Sequence, residues 1–175
     1  MIENFPDYWS APNKLLQIDG CCGLITAWGT LKHFKKRVSS ENLIKSCRYT
    51  RKHGTFTIAL AIALCEQGLS VKFFSEPDLK PNAIEKRCYV VAQKIGVEVN
   101  NAISLEALLK QISPNQIAIV LYNTDSNYAH LTPLLGEKKD EIILPYADYG
   151  LMPKQEFLKR WNESEILKQC LLVSV

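Results

Sequence analysis

No stretch of this 175-residue chain is apolar for long enough to cross a membrane. The longest apolar run, residues 58–65, falls far short of the ~18 residues a span needs. The first ten residues carry acids and aromatics but neither a basic stretch nor an apolar core, so no secretory signal is expected. An excess of charge is also missing. A formal net charge of +3 is too small to argue for nucleic acid or an anionic membrane surface, and neither is expected as a partner. The basic residues that gather over 32–37 read as the solvated face of a helix. The six cysteines, at 21, 22, 47, 65, 88 and 170, show no repeating spacing, which excludes a disulfide framework and points to reduced thiols in a cytoplasmic compartment. A protein exported by a specialised secretion system would look the same. Adjacent Cys21 and Cys22 chelate poorly and no second Cys/His cluster accompanies them, so no metal and no cofactor is expected.

Repeats, low-complexity segments and linkers are absent too, and a hydrophobic fraction of 47% suits a single domain over residues 1–175 with a full core. The spacing predicts a helix over 22–36. A second follows Gly54-Thr55-Phe56-Thr57, capped by Thr55 or Thr57, and stops at Gly68. Residues 69–74 alternate as a strand, 82–95 read as a helix ending near Gly96, and 104–111 as a short helix capped by Ser104. Residues 116–122 read as a buried strand. Residues 128–136 and 141–147 flank a polar turn and read as a hairpin, followed by a helix over 154–162 and a closing strand over 169–175. Helices first and antiparallel strands later is the α+β arrangement.

What the chain does contain is Gln17-Ile18-Asp19-Gly20-Cys21-Cys22-Gly23-Leu24. A cysteine at a helix N-terminus meets the positive end of the helix dipole, which favours thiolate. A glutamine amide five positions upstream of Cys22 can donate to the oxygen of a carbonyl under attack. Such a thiol needs an imidazole to take its proton and pass it to the leaving group. Of three histidines, His33 lies on a Lys/Arg-rich helix, His53 in a basic loop and His130 at the start of a strand. Centring the predicted hairpin at 138.5 sets residue 130 opposite 147, one step from Asp148. A bulge at Pro133 would let Asp148 orient the imidazole. Asp125 and Asn127 are weaker candidates for that role.

The order of these residues (Gln, Cys-Gly-Leu opening a helix, a later His on a strand, then Asp shortly before Gly) resembles papain-fold cysteine peptidases and is most similar to the C39 peptidases. The resemblance implies a papain-like α+β fold with N-terminal helices packed on a C-terminal antiparallel sheet. It carries over Cys22 as nucleophile, His130 as base, Asp148 as orienting carboxylate and Gln17 as oxyanion donor. Cys21 competes for the first role, and Cys22 is preferred because it directly precedes Gly23-Leu24. Three departures stand out. Leu131-Thr132-Pro133 interrupts the apolar strand expected after His130, Tyr149 follows Asp148 where the family commonly has Pro, and the Gln–Cys spacing is short. The expected function is hydrolysis of a peptide or protein amide bond. The alternatives are glutamine deamidation or acyl transfer by the same residues, or a binding module that has lost turnover.

Overall fold

The structure, a computed structural model, describes residue 2, residues 4–126 and residues 128–175, so Asn127 lies outside the described residues. After a 3-10 turn at Tyr8–Ser10, the chain forms helices α1 (Asn13–Leu16), α2 (Cys22–His33), α3 (Ser40–Ser46) and α4 (Thr57–Glu66). Then come β1 (Ser70–Ser75), α5 (Ala83–Ile95), β2 (Glu98–Asn101), α6 (Leu105–Leu109), β3 (Gln116–Asn123) and β4 (Ala129–Leu134). The chain ends with β5 (Gly136–Lys138), β6 (Glu141–Ile143), β7 (Leu151–Pro153), α7 (Lys154–Trp161) and β8 (Cys170–Ser174). Among the described residues no helix is long and apolar enough to cross a membrane.

The architecture is α+β, with a five-stranded sheet in the order β2-β1-β8-β3-β4 and a three-stranded ribbon β5-β6-β7. All pairings are antiparallel except β1 with β2. Strand periodicity divides the core. Phe73, Ile117, Ile119, Leu131, Leu171 and Val173 turn to the face covered by α2 and α4, whereas Phe74, Ala118, Val120, Tyr122 and Leu172 turn to the face with Phe157 and Trp161 of α7. Helix α4 is buried from Thr57 to Leu64, which is why it is apolar all round there rather than amphipathic.

Local signals explain most boundaries. Gly68 takes a positive φ of 78°, and the hydrogen bonds Gly68 N–H to Cys65 O and Leu69 N–H to Leu64 O close α4 in a Schellman motif. Asn82 and Glu85 form a capping box on α5, which ends at left-handed Gly96. The cap of α4 is Phe56, not Thr55 or Thr57, and it makes no side-chain capping bond.

The predicted hairpin needs two corrections. Lys139 and Asp140 both have positive φ, so the loop is a two-residue turn centred at 139.5, as the pairs Gly136–Ile143 and Lys138–Glu141 require. The strand also does not continue from 136 back to 128. β4 pairs with β3 in the other sheet, and the chain changes sheets between Leu134 and Gly136. No bulge forms at Pro133, because the β3–β4 register runs unbroken from Ala118–Leu134 to Asn123–Ala129. β4 is an edge strand, where a residue without an N–H is tolerated. Residues 144–147 are not strand. The Leu144 N–H to Gly150 O bond folds them into a loop that returns the chain as β7.

Candidate active site

Cys22 is the first residue of α2, and its position is set by close packing on the residue that follows. A Cβ on Gly23 would come within 2.7 Å of the Thr55 Cβ and 3.3 Å of the Leu131 Cδ1, so only glycine lets α2 approach this near. The same approach allows the Thr26 hydroxyl to donate to the Leu131 carbonyl at 3.0 Å. The main-chain N–H of Leu131 faces the Cys22 sulfur. The first turns of α2 are thus fastened to β4 one residue away from His130. Burial pushes the Cys22 thiol above the ordinary range, with the N–H groups of Leu131, Gly23 and Cys22 itself acting the other way. In the free protein, desolvation therefore outweighs the helix-end effect that the sequence suggests.

His130 stands opposite Tyr122 in the β3–β4 ladder, and the two rings meet edge-on with centroids 5.6 Å apart. Its Nε2 lies 3.0 Å from the main-chain oxygen of Tyr146. A carbonyl only accepts, so Nε2 carries the proton and Nδ1 keeps its lone pair. Nδ1 has no hydrogen-bond partner among the described residues, the two sulfurs included. Burial lowers the His130 pKa, opposed by the bond to Tyr146 and by the charge of Asp148. Tyr146 is itself held firmly. Its hydroxyl donates to Pro6 O at 2.9 Å and its ring lies over Gly29, where a Cβ would fall 2.0 Å from the phenol oxygen.

The other expected residues are less closely drawn in. Asp148 is exposed on the loop after β6 and makes no hydrogen bond among the described residues. Its charge nevertheless reaches His130 and Tyr122, whose pKa is pushed up to about 12 by burial first and by Asp148 next. Gln17 is exposed at the end of α1 and does not line the cleft described below. Asp125 is exposed and pairs with Arg160. His33, at the far end of α2, lies 2.9 Å from Pro114 O.

Cys21, Cys22, His53 and His130 line one cleft of about 770 Å³ between α2, the loop before α4 and the sheet. The Tyr8 hydroxyl lies 3.5 Å from the Cys21 sulfur. All six cysteines are free, and among the described residues no three His, Cys, Asp or Glu side chains gather as metal ligands would. Several cleft residues are not signalled by the sequence, and the most deeply buried polar one with a free amide is Gln169. Gln169, just before β8, is 6% exposed. Its local signal is only that of a polar residue at a strand start, and its place in the cleft depends on the long-range pairing of β3 with β8.

No family model and no curated protein sequence matches the chain. Solved structures do. The chain is similar in fold to the peptidase domain of Streptococcus ComA, a bi-functional ABC transporter involved in a quorum-sensing pathway. That match has 12% identity and a TM-score of 0.56 over 87% of this chain and 90% of the other. It is similar also to a double-glycine-motif protease from an AMS/PCAT transporter, solved in complex with the leader peptide. There the identity is 19% and the TM-score 0.55 over 88% of this chain and 84% of the other. The class defined is the papain-like α+β fold. Within that class, the fold is that of the C39 double-glycine peptidase domains.

Proposed function

We propose that residues 1–175 form a single thiol hydrolase domain that cleaves a peptide amide bond, with Cys22 as nucleophile and His130 as base. The observation that carries this reading is the close packing of Gly23 on Leu131, with the Thr26 hydroxyl bonded to the Leu131 carbonyl, which joins the start of α2 to the strand bearing His130 at one cleft. His130 Nδ1 takes the thiol proton as the sulfur attacks the substrate carbonyl carbon. The Cys22 main-chain N–H donates to the resulting oxyanion. His130 then protonates the departing amine, and water attacks the thioester to release the acid. Nε2–H stays on the Tyr146 carbonyl throughout, and Asp148 acts as a nearby charge favouring the imidazolium. Gln17, the second oxyanion donor suggested by the sequence, stands outside the cleft, so the reading rests on the main-chain donor. The AMS/PCAT protease was solved with a leader peptide, which supports a peptide as substrate class here as well.

Iodoacetamide labelling with mapping of the modified residue tests the nucleophile. Selective modification of Cys22, retained in Cys21→Ser and slowed in His130→Asn, supports the proposal. Labelling spread over several thiols and unchanged by Cys22→Ala overturns it. Incubation with a proteome digest then separates chemistries, because new N-termini indicate proteolysis and ammonia indicates deamidation. One observation favours a second reading, a binding module without turnover. Burial raises the Cys22 pKa and lowers that of His130, which works against a thiolate–imidazolium pair in the free protein. Selective labelling without new termini or ammonia would support that alternative.

A further inference from the structure

The interior of the cleft holds polar side chains that the proposed hydrolysis does not use. Gln169 is 6% exposed, and its main chain is fully engaged. Its carbonyl accepts from Leu121 N–H and from the Trp161 indole, while its N–H donates to Ile166 O. Its side-chain amide has no hydrogen-bond partner among the described residues, and Gln169 is the sole carboxamide among the described residues lining the cleft. Thr55 and Thr57 line the same cleft, are 8% and 2% exposed, and have hydroxyls without a hydrogen-bond partner among the described residues. The two threonine hydroxyls are sealed from solvent, whereas the Gln169 amide is not, so it is the Gln169 amide that opens to the cleft with its hydrogen-bonding capacity free for a ligand.

The sheet register says where such a ligand lies. Leu131 on β4 is opposite Leu121 on β3, and Leu121 donates its N–H to Gln169 beside β8. These three residues form one row across the sheet, all three line the cleft with Cys22, and the row begins at Leu131, against which Gly23 beside Cys22 packs. Neighbouring strands are ~4.8 Å apart, so Gln169 stands about 10 Å along the row from Leu131. That is too far for an oxyanion donor, which must lie within ~3 Å of the reacting oxygen. It equals about three residues of extended peptide at ~3.3 Å each. A primary amide offers both a donor and an acceptor, the complement of a peptide group.

We propose that Gln169 binds the main chain of an extended peptide about three residues from the bond cleaved at Cys22. This assignment rests on Cys22 being the reactive thiol, and it specifies a substrate-binding residue recognising backbone rather than a particular side chain. Because the recognition is of main chain, simple alanine peptides suffice as probes. Three reagents are compared by their second-order rate of Cys22 alkylation. Iodoacetamide carries no peptide. Acetyl-trialanyl chloromethyl ketone extends on the acyl side, its sulfur–carbon bond forming as chloride leaves. Iodoacetyl-trialanine amide extends on the other side and releases iodide.

With the single-alanine form of each peptide reagent measured alongside, one of the tripeptide reagents should gain about tenfold over its single-alanine form in the wild-type chain. Gln169→Met, close in shape but without the amide, should erase that gain and leave the iodoacetamide rate unchanged. Gln169→Glu, which keeps the acceptor and removes the donor, should lose most of it. The proposal is overturned if neither tripeptide gains in the wild type, if the gain survives Gln169→Met, or if both variants slow iodoacetamide as well, which marks a structural role. If iodoacetamide fails to single out Cys22 in the wild type, the hydrolase reading fails first.

Discussion

The thiol end and the carboxylate end of the candidate site are built by different means. Cys22 begins a helix whose next residue must be glycine for α2 to lie against Thr55 and Leu131, and Thr26 ties the same turn to β4. Asp148 stands exposed on a loop between β6 and β7, without a hydrogen-bond partner among the described residues, and reaches His130 through its charge. Between them His130 is held by a main-chain carbonyl, and the residue supplying it, Tyr146, is locked by its own buried ring and hydroxyl. Packing thus sets the nucleophile and the orientation of the base, while the carboxylate is set by a loop that little constrains.

The sharpest way to break this comparison is at the thiol. Cys22→Ala should lower peptide hydrolysis by a thousandfold or more, about the scale seen when a nucleophile is removed, while Cys21→Ser leaves most of it. Equal losses in the two variants, measured as new N-termini per unit time, would show that the tight packing around Cys22 serves something other than chemistry. His130→Asn should cost about a hundredfold or more in the same assay. His53 lines the same cleft, so a larger loss in His53→Asn would transfer the base to the other wall.

This division also explains what was legible in the sequence. The start of α2, the end of α4 at Gly68, the capping box of Asn82 and Glu85 and the apolar run of β3 are written within a few residues of where they act. So is the pairing of Cys22 with Gly23. The partner of His130 was not legible, because a main-chain carbonyl leaves no mark on residue type, and Asp148 drew the role instead. Gln17 illustrates the same gap. Its spacing to Cys22 is visible, but its exposure follows from how the short α1 ends. β2 was missed because Glu98-Val99-Asn100-Asn101 has no apolar face to signal it. It forms only because β1 offers a free edge. Gln169 depends on strands that meet across fifty residues of chain.

A finer contrast sets Gly29 against Asp148. In Gly29→Ala the new methyl group falls on the Tyr146 hydroxyl, and overpacking of this kind costs about 1–3 kcal/mol, offset in part by the better helix propensity of alanine. Displacing Tyr146 also disturbs the carbonyl that fixes His130. Asp148→Asn removes a charge and no hydrogen bond among the described residues, so its effect on hydrolysis should stay within about tenfold. We expect Gly29→Ala to lower both the urea midpoint and the hydrolysis rate, and Asp148→Asn to lower the rate slightly and the midpoint not at all. A larger loss of rate in Asp148→Asn would show that the carboxylate engages His130 directly once substrate is bound.

The smallest effect concerns stability against pH, where base and nucleophile should act at opposite ends of the range. The folded His130 pKa is lowered, so the native state resists a proton that the unfolded chain accepts below its ordinary value of ~6.5. Stability is whole above that value and falls as the pH drops through the folded pKa. The Cys22 pKa is raised, as are those of buried Cys47 and Cys170, both pushed up to about 12. For these thiols the unfolded chain loses protons first, above ~8.5, so stability is whole below that pH and falls above it. Urea midpoints measured from pH 5 to 10 should therefore peak between about 6.5 and 8.5. His130→Asn should flatten the acid limb alone, and Cys22→Ala should shallow the alkaline limb without removing it, since the buried thiols of Cys47, Cys88 and Cys170 remain. An acid limb unchanged by His130→Asn would mean that His130 is hydrated in solution, and the lone pair at Nδ1 would then face water rather than a dry site beside the sulfur.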